Sequence, residues 1–224
     1  MAEKYGTIPQ KFTKDWWEWY WTYHKGLIIG IVILIIFISI GVTDYLSTEK
    51  FDLTLTYSGQ AYYDSVVQAK VEEAISPLCD DLDGNGEKSL YFSILDIDLN
   101  STDSEYLQAQ SMRLGMSFGE DESYIFILDK SIADIYFGAS EDACVFAPLE
   151  DWVTEDISGF ETISAHGKAY GIDISGLEIF KDTGFDTEGK YLFMRYYPSE
   201  NQIKKHLKGY NGATILANRI LSAQ

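Results

Sequence analysis

One continuous apolar segment near the N-terminus restricts this chain more than any other feature. The segment GLIIGIVILIIFISIGV, residues 26–42, has seventeen residues without a charge. As an α-helix it would be about 26 Å long, slightly less than the roughly 30 Å of a bilayer's hydrocarbon core. Isoleucine and valine would lie on every side of it, whereas a buried helix of a soluble protein usually keeps a polar face. The segment predicts a transmembrane helix over residues 26–43.

Aromatic side chains are concentrated just before this segment, in KDWWEWYWTYHK. Tryptophan and tyrosine direct an apolar ring toward the acyl chains and an N–H or O–H toward water, so they collect at the membrane interface. A protein-binding aromatic patch is the alternative, and the adjacent apolar segment favours the interface. The residues predicted to lie at the membrane interface are Trp16, Trp17, Trp19, Tyr20, Trp21 and Tyr23.

The distribution of charge predicts the orientation of the chain in the membrane. The first 25 residues carry four lysines and three acidic residues, whereas the remainder carries 13 basic and 32 acidic residues. Because basic residues next to a span stay cytoplasmic, we expect a cytoplasmic tail over residues 1–25, a stalk over 44–50 and an extracytoplasmic domain over 51–224. A cleaved signal peptide is the competing interpretation, but no convincing small-x-small cleavage site follows the apolar segment.

Residues 51–224 alternate between strand and helix patterns. FDLTLTYS alternates apolar and polar residues like a half-buried strand, and DSVVQAKVEEAISPL carries the apolar stripe of an amphipathic helix. LYFSILDIDL and SYIFILD are two further strands, separated by a weaker helix pattern. This order predicts an α/β domain with a mostly parallel sheet. Near the C-terminus we expect two helices, the first capped by Ser199 and stopped by Gly209, the second capped by Asn211.

Cys79 and Cys144 are the two cysteines of the chain. On the oxidising side of a membrane they could form a disulfide. Isolated cysteines in a domain with an adequate core are more often buried thiols, so we expect two free thiols and leave the disulfide as the alternative.

Three passages resemble the extracellular solute-binding proteins of ABC importers. They are FDLTLTYSGQ, SYIFILDKSIADIYF followed by VFAPLEDWV, and GKAYGID. The resemblance extends over residues 50–224 and implies a periplasmic-binding-protein-like lobe. A two-lobed receptor, which closes at a hinge between its lobes, needs about twice the residues that follow the apolar segment. Asp173 also stands where the family's passage usually has proline, so the resemblance implies a single degenerate lobe on a membrane anchor.

The loop DDLDGNGE, residues 80–87, begins like a calcium-binding sequence. An EF-hand loop has oxygen ligands at positions 1, 3, 5 and 7, glycine at 6 and a bidentate glutamate at 12. Counted from Asp81, position 6 is Gly86 but position 12 is Phe92, so the bidentate acid must come from elsewhere. A tight turn between helix and strand is the alternative. The candidate calcium ligands are Asp81, Asp83, Asn85 and Glu87, and we expect no other cofactor.

We expect a noncatalytic protein, because the sequence lacks a recognisable catalytic set. Asp96 and Asp98 would share one face of a strand, but a solvent-facing carboxylate pair is commoner than an acid–base site. The three histidines, His24, His166 and His206, lack the spacing of metal ligands.

The sequence therefore predicts a single-pass membrane protein with a noncatalytic binding or interaction domain, accessory to a membrane complex. Its expected partners are the bilayer and a membrane or cell-surface protein. Nucleic acid is excluded, because a net charge of −18 repels phosphates. Two alternatives remain open: a calcium-stabilised surface structural protein, and a hydrolytic enzyme that uses Asp96, Asp98 or His166.

Overall fold

The computed structural model describes residues 9–47, 51–119, 123–138, 140–197 and 200–223, without the side chains of 41–47, 142 and 200–203. The chain divides into two compact units, Met1–Glu49 and Lys50–Gln224.

The first unit contains the helix α1 (Lys14–Ser47), which has 34 residues. It runs without a break through the predicted interface residues, the predicted membrane segment and the first residues of the predicted stalk. Its apolar side chains are exposed on all sides; Ile33, for example, is 48% exposed and Phe37 70%. Among the described residues, α1 is the one helix long and apolar enough to cross a membrane.

The second unit is built on a six-stranded sheet with the strand order β2-β1-β3-β6-β5-β4. β1 pairs in parallel with β2 and β3, whereas β6 pairs antiparallel with β3 and β5, and β5 antiparallel with β4. The α/β class is confirmed, but the sheet is mixed and the prediction of a mostly parallel sheet is wrong. The strands are β1 (Leu53–Gly59), β2 (Leu90–Asp96), β3 (Ser123–Asp129), β4 (Thr162–Ala165), β5 (Lys168–Asp173) and β6 (Lys190–Met194).

The connections explain why one half of the sheet is parallel and the other antiparallel. Parallel neighbours need a crossover connection, and the helices α2 (Ser65–Ile75) and α3 (Ser104–Ser117) supply it on either side of β2. β4 and β5 are joined by His166 and Gly167 alone, both with positive φ, at 52° and 83°. Two such residues form the tight turn of a hairpin, which is antiparallel. The alternation of strand and helix in the first half therefore does not extend to the second.

Helices cover both faces of the sheet. α2 and α6 (Glu200–Ser222) pack on the face that contains Ile125, and α3 and α4 (Lys130–Tyr136) pack on the face that contains Phe126. A further short helix, α5 (Leu149–Trp152), follows the α4 region. Because side chains alternate along a strand, β3 contributes to both hydrophobic cores.

The C-terminal helix is continuous, so the prediction of two helices is wrong. α6 passes through both Gly209 and Asn211. A Cβ atom at Gly209 would lie 2.5 Å from the hydroxyl of Tyr124 on β3. The glycine therefore permits close packing of the helix on the sheet instead of ending the helix. The predicted N-cap, Ser199, lies outside the described residues.

The two cysteines are buried, free and on opposite faces of the sheet. Burial raises the pKa of Cys79 to about 12 and also raises the pKa of Cys144. The prediction of two buried thiols is confirmed.

Candidate functional site

The carboxyl ends of β1 and β3 meet at one edge of the sheet. After β1 the chain turns to α2 on one face, and after β3 it turns to α4 on the other. In open α/β sheets such a divergence creates the crevice where ligands bind. β5 also ends and β6 begins here, so we name residues 59–63, 96–100, 129–131 and 173–190 the carboxyl edge.

An ion pair between the buried Lys190 and the partly buried Asp129 lies at the centre of the carboxyl edge. The Lys190 side chain is 5% exposed, and its Nζ is 3.8 Å from Oδ1 of Asp129. The other carboxylate oxygen accepts a hydrogen bond from the Gln60 backbone at 2.8 Å, and the Tyr57 hydroxyl donates to Oδ1 at 3.5 Å. Burial raises the pKa of Tyr57, and the charge of Asp129 raises it further, so the phenol remains a donor. The pair thus joins the end of β3 to the start of β6.

Uncharged polar side chains extend this network toward β2. Nε2 of Gln60 donates to the Ser131 hydroxyl at 3.2 Å, and Nδ2 of Asn100 donates to Oε1 of Gln60 at 3.3 Å. The loops after β1, β2 and β3 are therefore linked to one another at this edge.

Asp96 and Asp98 also lie at the carboxyl edge, but they do not share a strand face. β2 ends at Asp96, and Asp98 lies in the turn beyond it, where its Oδ1 accepts from the Asn100 backbone at 2.9 Å. The hydroxyl of Tyr106 donates instead to Asp96, whose carbonyl oxygen is 3.0 Å away and whose Oδ2 is 3.4 Å away. The two carboxylates therefore accept separate local hydrogen bonds.

A groove of about 660 Å³ lies beside the ion pair, between α2 and residues 174–189. Ligand pockets commonly have volumes of about 300–1,000 Å³. The ring of Phe185 forms part of its wall, and the centre of this ring is 5.7 Å from Nζ of Lys190. Two lysines and three carboxylates are among the lining residues. Further lining residues are Lys70, Phe180, Lys181, Asp182, Asp186 and Thr187.

Asp52, just before β1, holds the acidic loop in place. Its Oδ1 accepts from the backbone of Leu82 at 2.6 Å and of Asp83 at 3.1 Å, and its Oδ2 accepts from the backbone of Ser89 at 2.9 Å. Partial burial opposes ionisation, but the hydrogen bonds from these residues outweigh it and lower the pKa of Asp52. The sequence pattern did not identify Asp52 because it lies far upstream of the loop.

Within the loop, side chains bond the neighbouring backbone. Asp81 accepts from Gly84 at 2.6 Å and from Gly86 at 2.9 Å, and both glycines have positive φ. Such contacts are the turn chemistry that the sequence offered as the alternative to calcium. The same fold brings carboxylate oxygens of Asp52, Asp81 and Asp83 within 4.8 Å of one another. Asp52 is thus an acid near the loop that an EF-hand count from Asp81 does not include.

Asn85 and Glu87, the other two predicted calcium ligands, are joined by a hydrogen bond within the turn. Oδ1 of Asn85 accepts from the Glu87 backbone at 2.6 Å, and its Nδ2 donates to Oδ2 of Asp83 at 3.0 Å. The structure therefore groups Asp81 and Asp83 with Asp52, and Asn85 shapes the turn.

The predicted interface residues form aromatic pairs along α1. Trp16 stacks on Tyr20 with ring centres 5.1 Å apart, and Trp19 contacts Tyr23 at 5.6 Å. Trp17 and Trp21 are 56% and 55% exposed. The rings therefore cover more than one side of the helix.

The three histidines have different surroundings. His24 contacts Tyr20 in α1, and Nε2 of His166 is 3.2 Å from the carbonyl of Phe137 in the β4–β5 region. The ring of His206 stacks on Tyr197 with centres 5.4 Å apart. In the described parts of the chain, the potential metal-binding group is the one formed by the three aspartates and includes no histidine.

Comparison with known proteins gives no relative from which a function could be transferred. No protein-family model, no curated protein and no solved structure matches the chain. The likeness to solute-binding proteins therefore stays a prediction.

Proposed function

We propose that this protein is a single-pass, membrane-anchored and noncatalytic binding domain whose residues 51–224 lie outside the cytoplasm. The observation that carries the proposal is the exposure of apolar side chains all round α1, with Ile33 and Phe37 as examples. Each leucine, isoleucine, valine or phenylalanine at the centre of a span favours insertion by about 0.3–0.6 kcal/mol. These contributions add over the segment and favour a lipid environment for α1.

Charge supports the proposed orientation. Four lysines precede the apolar segment, and the remaining chain carries 32 acidic residues. Short basic flanks are retained in the cytoplasm, whereas acidic residues contribute little to orientation and do not oppose translocation. The acidic domain is therefore the translocated part.

Binding is proposed at the carboxyl edge. The groove beside Phe185 has the volume of a ligand site and lies between α2 and residues 174–189, which belong to the same edge as the point where the connections of β1 and β3 diverge. The resemblance of residues 50–224 to solute-binding proteins also supports a lobe that binds at this edge. A protein partner in the membrane or a small solute would use the same surface, and the domain would serve as an accessory to a membrane complex.

Cysteine labelling tests the topology. Both native thiols are buried and have raised pKa values, so they give little background labelling. In intact cells we expect an impermeant maleimide to label Ser158→Cys, which is exposed in the domain. Lys11→Cys, which is exposed before α1, should react only after permeabilisation. The reverse pattern, or release of the chain by alkaline carbonate, would contradict the anchor or its orientation.

Photo-crosslinking from the groove tests the binding function. A crosslinking amino acid at Lys181, in the groove lining, should yield a discrete adduct in native membranes. The matched control is the same probe at Glu105, which is exposed at the start of α3. Equal or absent adducts from both positions, together with no ligand-dependent thermal shift, would remove the groove as a binding site.

We infer a second candidate function, a surface protein stabilised by calcium. The observation that favours it is the approach of Asp52 to Asp81 and Asp83, since calcium prefers several carboxylate oxygens. Each carboxylate oxygen has two lone pairs, and each oxygen of Asp81 and Asp83 accepts one described hydrogen bond, which leaves a lone pair for a metal. Each oxygen of Asp52 accepts two, so Asp52 would have to exchange one of these bonds for the metal. The carbonyl of Glu87 and side chain of Asn85 would be further ligands in this interpretation.

Thermal melting of the full chain separates calcium binding from a metal-free turn. At a calcium concentration about 100 times Kd the expected stabilisation is about 2.7 kcal/mol, which would raise Tm by about 5–10 °C over the chelated sample. Asp83→Asn retains turn-forming chemistry but loses a charged ligand, so it should abolish most of this difference. Equal melting in calcium, in magnesium at the same ionic strength and in chelator would rule calcium out.

A further inference from the structure

Two asparagine–glycine pairs occur in the chain, Asn85–Gly86 in the acidic loop and Asn211–Gly212 in α6. Asparagine is chemically labile, and most of all before glycine, because no side chain then shields the next peptide nitrogen. That nitrogen can attack the asparagine side chain and convert it to aspartate. The structure gives the two pairs different surroundings, and these decide where the conversion can occur.

The pair in α6 is held by a regular helix. α6 passes through both residues without a break, and each N–H inside an α-helix donates to the carbonyl four residues earlier. Gly212 is buried, and a Cβ atom there would lie 2.8 Å from the side chain of Leu82. Attack on Asn211 therefore requires local unwinding of a packed helix, so this residue should persist.

The pair in the acidic loop is open to water. Asn85 and Gly86 are both exposed and lie outside any helix or strand. Gly86 has a φ of 90°, a conformation that residues with a side chain rarely adopt. The turn can therefore rearrange without unfolding a regular element, and the water that the reaction consumes has free access.

The conversion is a sequence of two balanced steps. The backbone nitrogen of Gly86 bonds to Cγ of Asn85 and loses its proton, while the Cγ–Nδ2 bond breaks and ammonia leaves with that proton. Water then opens the cyclic imide at either of its carbonyls. One opening gives aspartate, and the other gives isoaspartate, in which the backbone runs through Cγ. Water is the one co-reactant.

Hydrogen bonds already engage the three groups that take part in ring closure. The attacking N–H of Gly86 donates to Oδ2 of Asp81 at 2.9 Å. Oδ1 of Asn85 accepts from the Glu87 backbone at 2.6 Å, and the leaving Nδ2 donates to Oδ2 of Asp83 at 3.0 Å. Ring closure turns the peptide group and moves Cγ, so it has to break these bonds. The loop therefore slows the reaction.

We propose that Asn85–Gly86 is a site of spontaneous deamidation in the folded protein and that the hydrogen bonds of the acidic loop restrain the reaction. Aspartate at residue 85 would place a carboxylate where Nδ2 now donates to Asp83, so two negative groups would face each other. Isoaspartate would lengthen the backbone between Gly84 and Gly86, which both donate to Asp81. Conversion thus loosens the loop as the chain ages.

Incubation of the full chain in detergent, in ¹⁸O-enriched water with a chelator, tests the proposal. Each conversion incorporates one heavy oxygen, so mass spectrometry separates it from conversion during a later digestion in ordinary water. Trypsin places the two pairs in different peptides, residues 71–88 and 209–219.

We expect labelled aspartate and isoaspartate at residue 85 and no label at residue 211. The reaction at residue 85 should be about 10- to 100-fold slower than in the same chain unfolded in guanidinium chloride. Equal rates in the folded and unfolded chain would refute the restraint. The absence of label at residue 85, or equal labelling at residue 211, would refute the site.

Two matched substitutions test which bonds restrain the reaction. Asp81→Ala removes the acceptor of the Gly86 N–H and should speed conversion at Asn85 about tenfold. The control Asp156→Ala removes a similar acceptor, that of the Ser158 N–H, in another turn and should leave the rate unchanged. The label at residue 211 shows in the same sample whether the fold is intact. An unchanged rate at Asn85 in folded Asp81→Ala would contradict the restraint.

Asp83→Ala keeps the restraint testable if Asp81→Ala unfolds the domain. It removes the acceptor of Nδ2 of Asn85 but leaves the bonds from Gly84 and Gly86 to Asp81. Conversion at Asn85 should then be about fivefold faster than in the native chain. A rate equal to that of the native chain would overturn the proposed role of the loop.

Discussion

Substituting Asp52 with asparagine removes a charge while keeping the size of the side chain. Oδ1 of Asp52 accepts from the backbone of Leu82 and Asp83, and Oδ2 accepts from the backbone and hydroxyl of Ser89, at 2.9 and 3.1 Å. An asparagine can present one oxygen to two of these donors, but its NH₂ group then faces the others. The variant thus loses the bonds at Ser89 and weakens the bonds to the loop.

The expected loss follows from these contacts. A hydrogen bond to a charged group contributes about 1.5–3 kcal/mol, and partial exposure of Asp52 puts each of the two lost bonds at or below the lower end. We therefore expect the free energy of unfolding to fall by about 2–3 kcal/mol. For a domain of this size, such a loss lowers Tm by about 5–10 °C.

The effect of Asp52 should depend on pH. Its pKa is lower in the folded protein than in the unfolded chain, where an aspartate has a pKa of about 3.9. The stability gained is thus fully present above about pH 4 and is lost as the pH falls through the folded pKa. Because asparagine does not titrate, the difference between the native chain and Asp52→Asn should shrink below about pH 4.

Urea denaturation of the full chain in detergent, followed by circular dichroism in the presence of a chelator, measures this difference without any contribution from metal. The control is Asp156→Asn, because Asp156 is exposed and accepts from the Ser158 backbone at 3.0 Å. We expect no measurable shift of the urea midpoint in the control. Equal midpoints for both variants, or a difference that is unchanged at about pH 3, would refute the reasoning.

Three further substitutions or modifications test the packing. Lys190→Met leaves the partly buried carboxylate of Asp129 without its cation and should lower the free energy of unfolding by up to about 3 kcal/mol in urea titrations. Gly171→Ala places a Cβ atom 2.5 Å from the ring of Phe193, and overpacking of this kind costs about 1–3 kcal/mol, measurable as a lower Tm. The Cys79 thiol, with its pKa of about 12, should resist a thiol reagent in the folded chain and react after denaturation.

Matched changes at open positions serve as controls for these substitutions. Lys181→Met removes an exposed lysine from the groove lining. Gly159→Ala adds a Cβ atom that would meet nothing within 4 Å. Neither change should shift the unfolding midpoint. If Lys181→Met were as destabilising as Lys190→Met, burial of the ion pair would not explain the loss. Rapid labelling of Cys79 in the folded chain would show that it is not enclosed.

Local patterns in the sequence predict the elements that depend on local periodicity. The alternation in FDLTLTYS indicates β1, and the apolar stripe with Asp64 as N-cap indicates α2, where Asp64 accepts from the backbone of Val66 and Val67. The antiparallel pairing of β6 with β3 brings together Ile125 and Met194. No local pattern specifies a pairing over such a separation, and that is why the sheet was predicted to be mostly parallel.

Among the candidate functional residues, too, some are indicated by a local sequence pattern and others are not. The turn-forming residues of the acidic loop identify it in the sequence. Asp52, however, contacts the loop only because β1 and β2 are paired. Lys190 and Asp129 become partners through the pairing of β6 with β3. Sites built by long-range pairing are therefore the part that sequence patterns miss.

The length of the β5–β6 connection favours the carboxyl edge as a functional surface. Adjacent antiparallel strands need only a two-residue turn, as between β4 and β5, yet residues 174–189 separate β5 from β6. This connection contains one short 3₁₀ turn, Glu178–Phe180, and irregular connections longer than about 12–15 residues are uncommon in compact domains and often functional. This one is anchored, because the ring of Phe185 packs against Tyr57 and Phe92, and the Tyr63 hydroxyl donates to the Asp186 carbonyl. The extra length is not needed to join the strands, and what it builds is the wall of the groove.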